Sequence, residues 1–386
     1  MKCIQNNLNK LLTPDIYFLF TIFDNQLRLV GGCIRDFLQH KSIHDYDLAT
    51  PLLPEQTIKV LEKNNIRYYT AGLKHGTITA VINKKNYEIT TLRTDVQTDG
   101  RHANVAFITD YRQDATRRDF TINALYMDNN GNLSDFFNGL TDLKNKQVKF
   151  IGMPEKRIEE DFLRILRYFR FIAYMGAKKT DKSALTACHK LKSGLKKISI
   201  ERIRDEFLKI LTAPFASETL FLMQQLTVLD EILPSYNLGL FHKFIHIYPR
   251  ASALERLAIL INGTIMPDWK WSRMQKKELQ LLLSDIQIPH SQKQAQYLLW
   301  KTGRKNFLFH LYKNRILKPF SLKKFNQLLY LKKPVFPVSG VDFYQKGFNG
   351  KEIQQKLCLA EKLWVQKNFP PKKSLVIKYV LEYNKK

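Results

Sequence analysis

The chain has 386 residues and a mass of 45.4 kDa, long enough for two or more domains and a substantial core. Hydrophobic residues make up 44% and charged residues 25%, which excludes wholesale disorder. Against 35 Asp and Glu stand 62 Lys and Arg, a formal charge of +27, so a polyanionic partner is implied, either nucleic acid or an acidic membrane surface.

Over the first 150 residues the pattern alternates between short strands and helices. Gln26 to Val30 predicts a strand, Gly31-Gly32 breaks it, and Cys33 to Gln39 predicts a short helix. Tyr46 to Ala49 predicts another strand, and Pro54 to Lys63 a helix with proline at its start. Thr77 to Ile82 and Tyr87 to Leu92 predict a hairpin around Asn83-Lys84-Lys85-Asn86. After Met153-Pro154 strand signals become rare. Ile158, Phe162, Ile165, Leu166 and Phe169 form a stripe of period 3.6, and helical patterns recur over 183–191, 201–211, 218–229, 251–261 and 275–283. An α/β head, a mixed sheet with helices over 1–150, is therefore expected. It is followed by an all-α neck over 151–215 and a basic helical body and tail over 216–386.

Charge concentrates at the end: residues 291–386 carry 21 Lys and Arg but only 4 Asp and Glu. Trp300, Phe307, Phe309, Tyr312, Phe320, Phe325 and Tyr330 lie among them. Two readings stand at this point, a backbone-binding surface with stacking aromatics or a solvated helical face above an aromatic core. Cys3, Cys33, Cys188 and Cys358 form no CxxC and suggest neither zinc nor a disulfide framework. The apolar run Ile16 to Phe23 is too short for a bilayer and lacks a signal-peptide layout. A cytoplasmic enzyme without membrane attachment is expected.

The strongest local signal is Leu29-Val30-Gly31-Gly32-Cys33-Ile34-Arg35-Asp36, followed by His44-Asp45-Tyr46-Asp47. Two glycines after a strand let backbone N–H groups approach a triphosphate, and Arg35, one turn on, can fork onto phosphate. Asp45 and Asp47, at alternate positions, would share one face of a strand. Their repulsion favours a cation between them, and hard oxygen ligands favour Mg²⁺ bridged to substrate phosphates. Two exposed loop aspartates are the plainer alternative. Glu88 would face the same metals if its strand pairs beside the aspartate strand; equally, it could be a hydrogen-bonding support for the sheet.

Two further blocks bear on nucleotides. In Arg117-Arg118-Asp119-Phe120-Thr121-Ile122-Asn123, one arginine can reach ribose and phosphates while Asp119 orients it. In Glu160-Asp161-Phe162-Leu163-Arg164-Ile165-Leu166-Arg167-Tyr168-Phe169-Arg170, Asp161 and Arg164 are expected to form an i,i+3 helical pair. Such a pair could read a base edge. Cytosine and adenine each offer an amino donor beside a ring-nitrogen acceptor, which suits Asp accepting and Arg donating. Uracil and guanine present the opposite polarity. They would leave unpaired groups costing roughly 1–3 kcal/mol each.

In order, these motifs resemble the class II tRNA nucleotidyltransferases of the tRNA nucleotidyltransferase/poly(A) polymerase family, nearest the alphaproteobacterial and mitochondrial branch. The resemblance is close over about residues 25–175. It includes Gly72-Leu73-Lys74-His75-Gly76-Thr77, Glu88-Ile89-Thr90-Thr91-Leu92-Arg93, Thr98-Asp99-Gly100-Arg101-His102-Ala103 and Phe137-Asn138-Gly139 before Asp142-Leu143.

The resemblance implies template-independent addition of CCA to the 3′ end of tRNA from CTP and ATP, with release of pyrophosphate by a two-metal in-line transfer. It implies Asp45 and Asp47 as catalytic Mg²⁺ ligands, two ions being expected. Gly32, Arg35, Arg118, Asp161, Arg164, Arg167 and Arg170 would bind nucleotide, with Glu88, Asp119 and Asn123 as candidate supports. The tRNA acceptor and T arms would lie on the basic body. Thr94 to Val105 aligns with the family's flexible loop. Cys33 replaces a small apolar residue and Phe162 a proline common in bacterial members; neither change removes a ligand. A bacterial poly(A) polymerase and a partial enzyme adding only CC or only A remain as alternatives, and a eukaryotic source would imply a mitochondrial location.

Overall fold

Short β-branched and aliphatic runs closed by tight turns build a mixed sheet that carries the aspartates. The computed structural model describes residues 8–99, 102–176, 180–262 and 266–383, with backbone alone over 95–99 and 102–104. The chain divides into two compact units, Met1–Ser235 with Pro267–Lys270, and Tyr236–Met266 with Trp271–Lys386.

In the first unit, helix α1 (Pro14–Ile22) precedes β1 (Arg28–Val30), α2 (Gly32–Leu38), β2 (Tyr46–Thr50), α3 (Pro54–Lys63) and β3 (Arg67–Tyr69). Next come β4 (Thr77–Ile82), β5 (Lys85–Thr91), β6 (Arg93–Asp99), β7 (His102–Phe107), α4 (Tyr111–Thr116), β8 (Leu125–Met127), β9 (Leu133–Asp135) and α5 (Gly139–Lys144). Seven strands form one sheet in the order β3-β4-β5-β2-β1-β8-β9, and β6 pairs with β7 separately. Among the seven, β2 and β5 are parallel and the other neighbours antiparallel. The α/β head with a mixed sheet is as the sequence suggested. The β4–β5 turn is tighter than expected: Ile82 pairs with Lys85, so only Asn83 and Lys84 bridge the strands. Both take positive φ, 50° and 64°, the twist that matches a two-residue hairpin.

The aligned loop segment from Thr94 to Val105 falls on β6 and β7; Gly100 and Arg101, at its turn, lie outside the described residues. Helices α6 (Pro154–Glu160), α7 (Arg164–Met175), α8 (Lys182–Leu191), α9 (Ile200–Thr212) and α10 (Ala216–Gln225) complete the unit's main elements. The apolar stripe 158–169 thus belongs to two helices. Asp161 interrupts them in an extended conformation, φ −156°. Its side-chain oxygen takes the Leu163 N–H at 3.1 Å, the competition with helical bonding that makes Asp favour caps over helix interiors. Helix α7 closes on Gly176, at φ 65°, a left-handed cap suited to glycine.

The second unit is helical among its described residues. Its longest helix, Gln292–Leu317, bends at Gly303, φ 78°. Phe307 and Phe325 pack with Leu299, Leu311 and Leu328, and Tyr312 and Phe320 close over them. Trp300 packs against a second cluster around Trp364 and Phe343. Of the seven interleaved aromatics only Tyr330, 77% exposed, is largely open to solvent. The aromatics therefore form core clusters and, Tyr330 apart, are not a stacking surface. The lysines lie outside them on exposed positions such as 323, 332, 333 and 351. No helix among the described residues is long and apolar enough to cross a membrane.

One glycine ties packing to the site. Gly139 opens α5 so close to the short turn Thr121–Asn123 that a Cβ there would meet the Thr121 carbonyl oxygen at 2.2 Å. Thr121 in turn donates to buried Asp142 at 2.8 Å. Gly139→Ala should therefore destabilise the chain by about 1–3 kcal/mol through overpacking against backbone. Thermal or urea denaturation measures this, and an unchanged midpoint would contradict the packing described.

Candidate active site

A cleft of ≈ 560 Å³ in the first unit is lined by Gly31, Gly32 and Asp47 from the sheet and the turn after β1. Arg93, Arg117, Arg118, Asp119 and Asn123 face it from the segments beyond β5. Asp161, Arg164, Arg167, Arg170, Phe171 and Arg202 face it from α7, the break before it and α9. Residues more than 130 positions apart in sequence thus meet in one place. Gly31 takes φ 74° and ψ −119° as the N-cap of α2, backbone that only glycine adopts without strain. A Cβ there would make ordinary contact with Asn123 O and Arg118, at 3.4 and 3.6 Å, so backbone conformation and not space sets the requirement.

Asp47 lies on β2; Asp45 sits one residue ahead of the strand, and both are exposed. In the parallel register of β2 and β5, Asp47 stands opposite Glu88. This meets the condition set for Glu88 to face the same side of the sheet. The Asp47 carboxyl is pushed up to about 6, first by the crowding of its surroundings, then by the charge of Glu88 and, less, of Asp45, with Arg118 and Arg35 opposing. Asp45 and Glu88 do not themselves line the cleft, and no group of three or more His, Cys, Asp or Glu among the described residues is close enough to form a ready-made metal cage. The donor chemistry still fits Mg²⁺. It consists of carboxylate oxygens that repel one another, and Mg²⁺ uses one or two such ligands and completes its shell with water and phosphate. Beneath them the Cys33 thiol, buried and next to Asp47, is pushed up to about 12, and so stays protonated and inert.

The arginines are held by carboxylates. Arg35 donates to Asn123 Oδ1 at 2.7 Å, Asn123 to Asp119 Oδ1 at 3.0 Å, and Arg167 Nε to Asp119 Oδ2 at 2.7 Å. Burial alone would raise the pKa of Asp119, but Arg167, Asn123 and Arg164 overcome it and hold it at about 2. Asp119 therefore orients Arg167 and, through Asn123, Arg35; it does not orient Arg118 as expected. Arg118 is fixed by Asp114 at 3.1 Å and by the Tyr126 hydroxyl at 3.0 Å. Asp114, 1% exposed, also takes Arg117 at 2.8 Å and the Tyr126 hydroxyl at 2.6 Å. Despite its burial, these partners keep the Asp114 carboxyl below its ordinary value.

The expected Asp161–Arg164 ion pair is not formed. Because Asp161 ends one helix rather than sitting within it, its carboxylate turns to Arg202 on α9, at 2.7 Å. Arg164 instead binds Glu160 at 2.6 Å and the Arg157 carbonyl at 2.8 Å. Both side chains nonetheless face the cleft. Arg170 is held by buried Glu206, one turn beyond Arg202.

Sequence reasoning missed Asp114, Tyr126, Arg202 and Glu206. The i,i+3 and i,i+4 spacing of Asp114 to Arg117 and Arg118 was a usable signal. For Arg202 and Glu206, more than 35 positions from their partners, no local signal exists.

The raised Asp47 carboxyl has a consequence for stability. Its pKa is higher in the fold than the ordinary 3.8, so the folded chain binds that proton more tightly, and ionisation works against folding as pH rises through about 6. In metal-free buffer, Asp47→Asn should raise the melting temperature at pH 8, and the gain should fade as pH falls below 6. An equal gain at pH 4 and pH 8 would contradict the assignment.

A family profile described as the poly A polymerase head domain matches residues 27–149. A second, described as the probable RNA and SrmB-binding site of polymerase A, matches residues 179–239. The Homo sapiens mitochondrial CCA tRNA nucleotidyltransferase 1 is 33% identical over 98% of this chain and 93% of its own length. Its Mus musculus counterpart is 43% identical over 63% of this chain, a match spanning 58% of the mouse protein. The Bacillus stearothermophilus CCA-adding enzyme, solved in complex with CTP, superposes with a TM-score of 0.71 at 26% identity, over 96% of this chain and 98% of its own. With a glycine turn, an aspartate strand and an arginine-rich helix around one cleft, and a relative similar along nearly the whole length, the chain belongs to the CCA-adding branch of the tRNA nucleotidyltransferase/poly(A) polymerase family.

Proposed function

We propose that this protein adds CCA to the 3′ end of tRNA from CTP and ATP without a nucleic-acid template. The observation that carries the reading is the single cleft that joins the Gly31–Gly32 turn, Asp47, and the Asp161 and Arg164 side chains. An RNA 3′-hydroxyl attacks the α-phosphate of the bound nucleotide, a P–O bond forms, and the bond to pyrophosphate breaks. Asp45 and Asp47 would hold Mg²⁺, which when bound lowers the pKa of the attacking hydroxyl and neutralises the leaving pyrophosphate.

The remaining work falls to the chain's own groups. Gly32 N–H, Arg35 and Arg118 take the triphosphate oxygens, with Arg167 and Arg170 completing a positive wall. Asp161 accepts from the amino group of cytosine or adenine, and Arg164 donates to the adjacent ring nitrogen. Asn123 and Asp119 act by holding Arg35 and Arg167 in place. Glu88 supports Asp47 from the neighbouring strand. The basic exposed surface of the second unit suits the phosphates of a folded RNA, bound by shape and charge. The described residues offer no span for a membrane, and relatives named as mitochondrial make an organellar matrix as suitable a compartment as the cytoplasm.

Asp45→Ala should reduce nucleotide incorporation by at least about a thousandfold, as loss of electrostatic stabilisation at the reacting phosphate implies, while a gel-shift assay shows tRNA still bound. Retained turnover would remove the metal assignment. Incubating tRNAs that end at the discriminator base, at C and at CC, with CTP plus ATP, should give products that stop at CCA. Long adenosine tails on unrelated RNA would instead select the poly(A) polymerase alternative, and a stop at CC or an A added only after CC would select a partial enzyme.

A further inference from the structure

Two opposite charges three residues apart, facing one cleft, should collapse onto each other, and a pair so joined would have spent its donor and acceptor on itself. In this chain that collapse does not occur. Asp161 Oδ2 is held by Arg202 Nη2 at 2.7 Å and Asp161 Oδ1 by the Leu163 N–H at 3.1 Å. Arg164 is held by Glu160 at 2.6 Å. Arg202 comes from α9, whose first turn faces the cleft, and the same helix face one turn on supplies Glu206 to Arg170. Two charged side chains of α9, Arg202 and Glu206, are thus spent on Asp161, at the break before α7, and on Arg170 of α7.

We infer that Arg202 is a specificity-determining positioning residue, which keeps the Asp161 carboxylate apart from Arg164 so that each keeps hydrogen-bonding capacity with which to read a base edge. The inference rests on the base-reading role proposed above for Asp161 and Arg164. Arg202 has no need to touch the nucleotide. Its guanidinium fixes one carboxylate oxygen by a charge-assisted bond and leaves the remaining lone pairs to accept an amino group. Without it, Arg164, a cation lining the same cleft, becomes a partner for Asp161, and a carboxylate turned onto it presents no acceptor to cytosine or adenine. Selection would then be lost at the acid and at Arg164 together, while the phosphate-binding and metal-binding groups are untouched.

The test is single-nucleotide incorporation by the full-length protein on tRNA ending at the discriminator base, with CTP and UTP measured separately. Arg202→Met should lower kcat/KM for CTP, mainly through KM, and leave UTP nearly unchanged, so that the CTP:UTP ratio falls about tenfold or more. Arg202→Lys keeps the charge without the fork and should recover part of the ratio; it also carries the test if the methionine variant fails to fold, which a melting curve reveals. A purely structural role for Arg202 would lower CTP and UTP equally and leave the ratio at its wild-type value, and that result would overturn the inference.

Asp161→Ala is run in parallel. If it loses the ratio while Arg202→Met keeps it, Arg202 is not a positioning residue, although Asp161 still reads the base. If Asp161→Ala also keeps the ratio, the base-reading role fails and the inference falls with it. In the double variant, the loss should equal that of Asp161→Ala alone, because the two changes remove one interaction; additive losses would contradict the coupling.

Discussion

Repulsion among clustered guanidinium groups is the constraint that this catalytic unit is built to answer. Among the described residues, eight arginines line one cleft: Arg35, Arg93, Arg117, Arg118, Arg164, Arg167, Arg170 and Arg202. So many like charges in one place work against the fold unless they are neutralised. The answer is a set of acids placed behind or between the arginines. Asp114 takes Arg117 and Arg118, Asp119 takes Arg167, Glu206 takes Arg170, and Glu160 takes Arg164. Asp114, Asp119 and Glu206 are buried, so each is costly to leave unpaired and each fixes its arginine in one orientation. The positive wall is thereby organised before a nucleotide arrives.

The same logic explains a contrast between the acids. Asp119 and Asp114 sit among cations and are held below the ordinary carboxylate value, whereas Asp47 is raised, first by its crowded surroundings and then by the charges of Glu88 and Asp45. One cleft therefore contains acids that are satisfied by the protein and one acid that is not. The unsatisfied one lies on a strand whose parallel partner sets Glu88 opposite it. The satisfied ones serve as scaffold.

The second unit poses a different problem. Its lysines greatly outnumber its acids, and a chain so charged must still find a core. It does so with aromatics: Phe307, Phe325, Tyr312 and Phe320 in one cluster, and Trp364, Phe343 and Trp300 about another. Interleaving in sequence becomes separation in space because a helix sends successive residues to different faces. A polar, basic exterior is left over small aromatic clusters.

The local elements were legible in the sequence. Gly31-Gly32 after an apolar strand, Pro54 at a helix start and the alternating runs about Asn83-Lys84 each follow from backbone chemistry that neighbouring residues decide. Asp47, Arg35 and the Asp161 and Arg164 positions stood out by residue type and spacing, while Arg167 and Arg170 were expected only from the family resemblance. What the sequence could not determine was who pairs with whom. The helix break at Asp161 turns on one side chain competing for a backbone N–H, and it redirects that carboxylate to Arg202, 41 positions away. Asp119 likewise bonds Arg167 rather than its neighbour Arg118. Ion pairs in a crowded cleft are chosen by which oppositely charged groups the packed helices bring within about 3 Å, and helix packing is a property of the whole core. Local sequence therefore fixed which groups are present, and only the tertiary structure decided which are held and which remain free to act.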